Sequence, residues 1–353
     1  MISVLKQWYL RYFTDPQTVI FAFILIFGSL LIVVMNAHLM PILIGIIIAY
    51  LFEGMVSRLD QINLNRTIAA SLVTVIILSA IVLILFVLLP LLSRQLSDLI
   101  RELPNMFSQG QHLLSDLPER YPDYLTVQQV NGIFAFIRNE LNEFGLRVVS
   151  VSFDSVVSVI TFFVYLILMP LMVFFFLKDK YLILAWLGQF LPEERTLVHR
   201  VWTDLDIKIA SYVRGKFIEI IVIWLVSYIG FAIMGLNYAV LLSLLVGLSV
   251  IVPYVGATVV TIPVILIAFF QWGSGSEFGY LMAVYAVIQI LDGNLLVPLL
   301  FSEVVNLHPV AIIVAVVFFG SLWGIWGVFF AIPLATFIQA ILKAWPNQEA
   351  PAE

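Results

Sequence analysis

From residue 220 to residue 342 the chain carries only three formally charged side chains, Glu277, Asp292 and Glu303, and Asp292 lies inside an apolar run. A water-soluble domain of that length needs a surface about a quarter charged, so this segment is membrane-embedded. An acid kept in hydrocarbon costs at least about 2.5 kcal/mol, which makes Asp292 a candidate functional residue.

The rest of the chain agrees. Of its 353 residues 62% are hydrophobic and 11% charged, with a mean hydropathy of +1.09, values that suit a polytopic helical protein rather than a globule with one anchor. Lys6 and Arg11 precede an apolar run at 19–35, but no small-residue cleavage site follows, so the start does not read as a cleavable signal peptide. Zero cysteines excludes disulfides, thiolate catalysis and iron–sulfur clusters. No basic patch with interleaved aromatics is present, so nucleic acid is not an expected partner. The phosphate-loop pattern GxxxxGK[ST] and the HExxH pattern are both absent from the sequence. His38, His112, His199 and His308 are scattered. A lone intramembrane Asp lacks the second acid of an aspartyl protease, and no nucleophile has an elbow context. The expectation is therefore a non-enzyme with no cofactor and no metal.

Windows of about 19 residues predict membrane helices near 18–37, 39–56, 67–92, 155–177 and 213–236. Arg58 and Arg66 in the 57–67 loop put that loop and the N-terminus in the cytoplasm and 93–154 outside. The opposite loop, 178–216, holds Lys178, Lys180, Arg195, Arg200, Lys208, Arg214 and Lys216, which supports the same orientation. In the external part, Leu92, Leu96, Leu99 and Leu103 recur at helical spacing, as do Val130, Phe134, Ile137, Leu141, Phe144 and Val148. An amphipathic helical layer follows, and the second stripe reads either as a subunit contact or as packing on the protein's own spans.

Beyond residue 236 the apolar segments shorten. The runs 239–252 and 257–271 are split by Pro253, Tyr254, Val255 and Gly256, and each arm falls short of a full crossing. A span near 280–301 is then followed by a polar loop and by an apolar stretch, 310–342, broken at Gly320, Gly324 and Gly327, with a first arm of about eleven residues. The units 217–271 and 280–342 thus read as inverted repeats, each a long helix, a short loop and a Gly/Pro-tipped hairpin. Opposed broken hairpins point to a secondary transporter with a midplane site. Short full crossings in a deformed bilayer are the alternative.

Tyr285, Gln289 and Asp292 share one helical face. Pro298 lacks an amide hydrogen and so frees the Asn294 carbonyl, which completes a candidate cation or proton site. Asp292 reads either as the coupling group or as an acceptor that pins a helix break. Asn306 is a further candidate polar contact, and His308 reads as a proton relay or as a cap before Pro309. Lys216 and Glu219, three apart, read as a cytoplasmic pair near the membrane edge or as a gate. Tyr254 is a gate or an interfacial anchor. Glu53 is expected to snorkel or to meet an arginine.

These residues carry a resemblance. The run DGNLLVPLLFSEVVNLHP at 292–309, the glycines at 320, 324 and 327, Pro333, the FFFLKDK stretch ending at Lys180, YVRGK at 212–216 and VPYVG at 252–256 are similar to the autoinducer-2 exporter family of bacterial membrane permeases, in its PerM-type branch. The resemblance implies a multi-pass permease of the bacterial inner membrane. It implies a small-molecule or ion substrate and a homo-oligomer, with a pentamer as one arrangement. The expected fold is an all-α polytopic membrane protein of about eight membrane-embedded segments, two of them opposed re-entrant helical hairpins, with a small external layer. Expected divisions are a scaffold at 1–92, an external segment at 93–154, a span and cytoplasmic linker at 155–212, the transport core at 213–343 and a disordered tail at 344–353, both termini being cytoplasmic. The expected function is secondary active transport coupled through Asp292, with a non-transporting scaffold or a passive channel as alternatives.

Overall fold

A computed structural model describes residues 36–115, 156–189, 196–253, 255–301 and 307–344, with isolated positions at 128, 132, 135 and 143. The span expected at 18–37 before residue 36, the second external stripe, the 344–353 tail beyond residue 344, Tyr254 and Asn306 lie outside the described residues. Among the described residues the structure is all-helical, and six helices are long and apolar enough to cross a membrane, or seven if one bent pair counts as a span. Only 17–28% of the residues in those apolar windows are buried in the protein, so their outer faces need lipid.

The first body is a cluster of three helices. Helix α1 runs Asn36–Gln61 and α2 runs Arg66–Leu83. The α2 start is fixed by Asn65, whose side chain accepts from the Thr67 amide at 3.0 Å. Within α2, Ser71, Thr74 and Ser79 donate back to carbonyls one turn earlier, which satisfies their hydroxyls without water. Ala69 and Ala70 leave room for close approach, and with Val73 they pack on Val173 and Leu177 of α4, Val156–Lys178. After a 76° bend at Asp179, α5 runs Lys180–Gly188.

The expected helix end at residue 92 is corrected. A π-helical turn, Ile84–Leu88, joins α2 to α3, Leu89–Ser115, without interruption. Pro90 sits just beyond this turn and cannot donate to the Phe86 carbonyl, so the backbone widens there instead of stopping. The α3 extension docks on the second body, where the Gln95 side chain accepts from the Leu241 amide at 2.8 Å. Burial, then the carboxylates of Glu102 and Asp98, holds the Tyr238 hydroxyl above the usual tyrosine range.

The second body is built on α6, Thr196–Ile233, which starts well before the expected boundary at 213. Its end is closed by Gly235 at φ +72°, with the Leu236 amide donating to the Phe231 carbonyl at 2.9 Å. Next come α7, Ala239–Ser249, and α8, Val255–Trp272. A Cβ on Gly256 would overlap the Ser249 carbonyl, so the chain doubles back where only glycine fits. The arms hold 11 and 18 residues, about 16 and 27 Å, rather than two equal half-crossings. Gln271 ties the base, accepting from the Asn237 amide and donating to the Gly235 carbonyl, both at 2.8 Å.

Helix α9, Ser276–Leu291, passes through a second π turn, Asp292–Leu296, into α10, Val297–Phe301. A second helical pair follows, α11, Pro309–Phe329, and α12, Ala331–Ala344. Its non-helical residue is Gly324, at φ +59°, so the first arm runs past the expected stop at Gly320. Gly327 repeats the device of Gly256, because a Cβ there would overlap the Phe319 carbonyl.

Candidate functional site

The break expected around Asp292 is a π turn in a continuous helix. Pro298 stands two residues beyond it, as Pro90 does beyond the first, and the Val297 amide reaches back to the Asp292 carbonyl. The turn sets Asp292 on the wall of a cavity of about 520 Å³, together with Gln289, Lys216 and Glu219. Pro253 and Val250 from the α7–α8 turn also line it, with Ile312 of α11 and Ile332 of α12 closing it.

Lys216 and Glu219 lie within α6, in the candidate span Leu205–Ile233. Both are buried, 5% and 2% exposed, so the pair belongs to the interior. Lys216 Nζ lies 2.7 Å from Glu219 Oε2 as an ion pair. It also donates to the Val250 carbonyl at 2.8 Å and stands 5.1 Å from the Phe301 ring centre. Gly215 permits this approach, since a Cβ there would come within 2.8 Å of the Phe301 ring. One turn earlier on α6, the Tyr212 hydroxyl donates to the Phe329 carbonyl at 3.1 Å. Adjacent turns of α6 therefore hold main-chain carbonyls at the ends of α7 and α11. Asp292 lies within electrostatic reach of Lys216 and of Glu219, and its Oδ1 is buried with no hydrogen-bond partner among the described residues.

Behind the cavity wall, Tyr285 is buried. Its hydroxyl accepts from Gln289 Nε2 at 2.7 Å and shares a 3.0 Å hydrogen bond with Thr261 of α8. Thr261 donates in turn to the Ala257 carbonyl at 2.7 Å. The polar ladder links α9 to the α7–α8 hairpin.

The other candidates are placed elsewhere. Asn294 is exposed and donates to the Ile290 carbonyl at 3.0 Å. His308 is exposed and caps α11, with Nδ1 accepting from the Val310 amide at 3.3 Å. Gly320, Gly324 and Gly327 do not line the charged cavity. The neighbouring Trp323 and Trp326 line a separate, apolar groove with Tyr50 and Val213. Among the described residues no group of three or more His, Asp or Glu side chains converges as a metal site.

Sequence reasoning missed the Val250 carbonyl and Phe301 as partners of Lys216, and missed the bond of Tyr212 to the Phe329 carbonyl and the part played by Thr261. A main-chain acceptor leaves no residue-type signal. The glycine preceding Lys216 was the one available hint of a close contact.

A second charged cluster joins the C-terminal half of α1 to the starts of α2 and α5. Arg66 Nη2 meets Glu53 at 3.0 and 3.1 Å and donates to the Leu177 carbonyl at 2.7 Å, while its Nε donates to the Lys178 carbonyl at 3.2 Å. Lys180 joins Glu53 at 3.2 Å, and Arg66 stacks over Tyr181 at 4.8 Å.

Apolar helices that need lipid, packed around a charged cavity, define a polytopic helical membrane protein. The model of the AI-2E family transporters matches residues 20–347, and the chain belongs to that family. It is 45% identical over the full length of both chains to PerM of Escherichia coli (strain K12), a proposed permease. It is 27% identical to YueF of Bacillus subtilis (strain 168), a proposed transport protein, across 89% of this chain and 85% of that one. YrrI of the same Bacillus strain, also a proposed transport protein, matches at 26% across 88% of this chain and 87% of its own length.

Proposed function

We propose that the chain is a secondary active transporter that moves a small solute or ion across the bacterial inner membrane, with Asp292 as the proton-coupling group. The observation that carries the reading is the cavity itself: an acid with an unbonded carboxylate oxygen faces an ion pair at the turn of one hairpin and the side of another. Such an acid is costly to keep charged in an apolar setting, which suits it to taking and releasing a proton as the cavity opens to either side. Gln289, backed by Tyr285 and Thr261, supplies a polar contact. Asn306 is a further contact in this reading.

In the same reading both helical pairs are re-entrant hairpins of an inverted repeat, 213–343, and bring the membrane-embedded segments to about eight. They move against a scaffold at 1–92 and an external layer at 93–154, with both termini in the cytoplasm. Assembly as a homo-oligomer belongs to it as well.

The test uses proteoliposomes loaded with a pH-sensitive dye and exposed to a panel of small polar metabolites and alkali salts. Wild type should show solute-driven proton movement that saturates, and Asp292→Asn should abolish it while the unfolding temperature stays within a few degrees. Unchanged proton-linked flux in a folded Asp292→Asn protein removes Asp292 from the mechanism.

A further inference from the structure

Lys216 and Glu219 are the charged residues among the described ones that are fully buried. The surroundings of the ammonium are those of a bound cation. It has a carboxylate oxygen at 2.7 Å, a main-chain carbonyl at 2.8 Å and an aromatic face at 5.1 Å. Val250 is the C-cap of α7, so its carbonyl lies at the negative end of a helix broken inside the protein. Carbonyls at such ends, joined by a carboxylate, are the oxygen donors that hold alkali ions in transporters with interrupted helices. Asp292, on the same cavity wall, adds a second negative charge.

We propose that Lys216 is a tethered cation, its ammonium filling a monovalent-cation site built by Glu219 and the Val250 carbonyl, with Asp292 as a second acid on the same cavity wall. Charge balance is the reason. Two carboxylates share the cavity with one ammonium, and without that ammonium a carboxylate that is 2% exposed would stand near another acid and a helix C-terminus. A free alkali ion would then enter, because an ammonium and an alkali ion need the same negative oxygen donors. With Lys216 present the site is full, and no sodium or potassium binds. Taken with the transport reading, on which this consequence alone rests, the proton is the only coupling ion and sodium is dispensable.

The experiment measures binding and not flux, so its failure and that of the transport reading are separable. Purified full-length protein in lipid nanodiscs is titrated with radioactive sodium ion at constant ionic strength set by choline chloride, with unfolding temperature as a second readout. Wild type and Lys216→Arg should show no saturable sodium binding. Lys216→Met should gain it, together with a sodium-dependent rise in unfolding temperature, and adding Glu219→Gln should weaken that binding by about tenfold or more. Lys216→Gln is the second variant, with the same expectation. A folded Lys216→Met or Lys216→Gln protein that binds no sodium overturns the proposal. So does saturable sodium binding by wild type at comparable affinity, a measurement that decides the matter even if neither variant folds; its absence supports the proposal.

Discussion

The two charged clusters of this protein differ in their balance. Around Glu53 cations outnumber the acid, and Arg66 spends its donors on that carboxylate and on the Leu177 and Lys178 carbonyls. The side chains of Arg66, Glu53 and Lys180 keep 15–33% of their surface exposed. Around Lys216 the acids outnumber the cation, the pair is nearly sealed at 6% and 2% side-chain exposure, and one oxygen of Asp292 bonds to nothing described. The first cluster cements α1, α2 and the bend after α4, and local rules explain it fully. The second breaks the rule that buried charges are balanced, and such breaches concentrate where function needs them.

The largest expected effect tests how deeply the second cluster is committed. Glu219→Leu leaves Lys216 buried without its partner and should lower stability by about 3–5 kcal/mol in denaturant unfolding from mixed micelles. A loss below about 1 kcal/mol would erase the contrast, since that is the range of a wetted pair. Glu53→Ala comes next. Arg66 keeps its two carbonyl acceptors and Lys180 can turn to water, so about 1–2 kcal/mol should be lost in the same assay. The smallest effect belongs to Lys178 and Asp179, 3.7 Å apart with 34% and 27% of their side chains exposed. Asp179→Asn should change stability by no more than about 0.5 kcal/mol. A reversed order among these three would mean that burial does not separate the clusters.

Much of this architecture was legible in the sequence. The charge gap from 220 to 342 placed the apolar helices, and Pro298 marked the local disturbance beside Asp292. What it became was not legible. A missing amide can break a helix or widen it, and here neighbouring turns absorb it as a π turn. The start of α6 was hidden for a related reason. Asp204, Asp206, Lys208 and Arg214 depress hydropathy over that stretch, so a window reading starts the span only at 213, whereas the backbone is already helical from Thr196. That earlier start puts Lys216 and Glu219 in the middle of α6, where neighbouring helices bury both. In the candidate site, Tyr285, Gln289 and Asp292 could be grouped by helical spacing. Their approach to Lys216 depends on α6 packing against α7 and α10, a long-range contact that spacing along one helix does not encode. The apolar stretch 310–342 posed a third difficulty, since glycines at 320, 324 and 327 all mark it and spacing put the stop at the first, whereas the positive φ falls at Gly324 and the close backbone approach at Gly327.

Lys216 grips the first hairpin through a peptide oxygen and not through a side chain. No replacement of the side chain at position 250 deletes that acceptor. The contact is addressed to a shape, the exposed end of a short helix, so it can be lost only by moving the turn away. Any motion that swings the hairpin outward must therefore release the lysine at the same moment, and the bond doubles as a latch whose state reports the position of the turn.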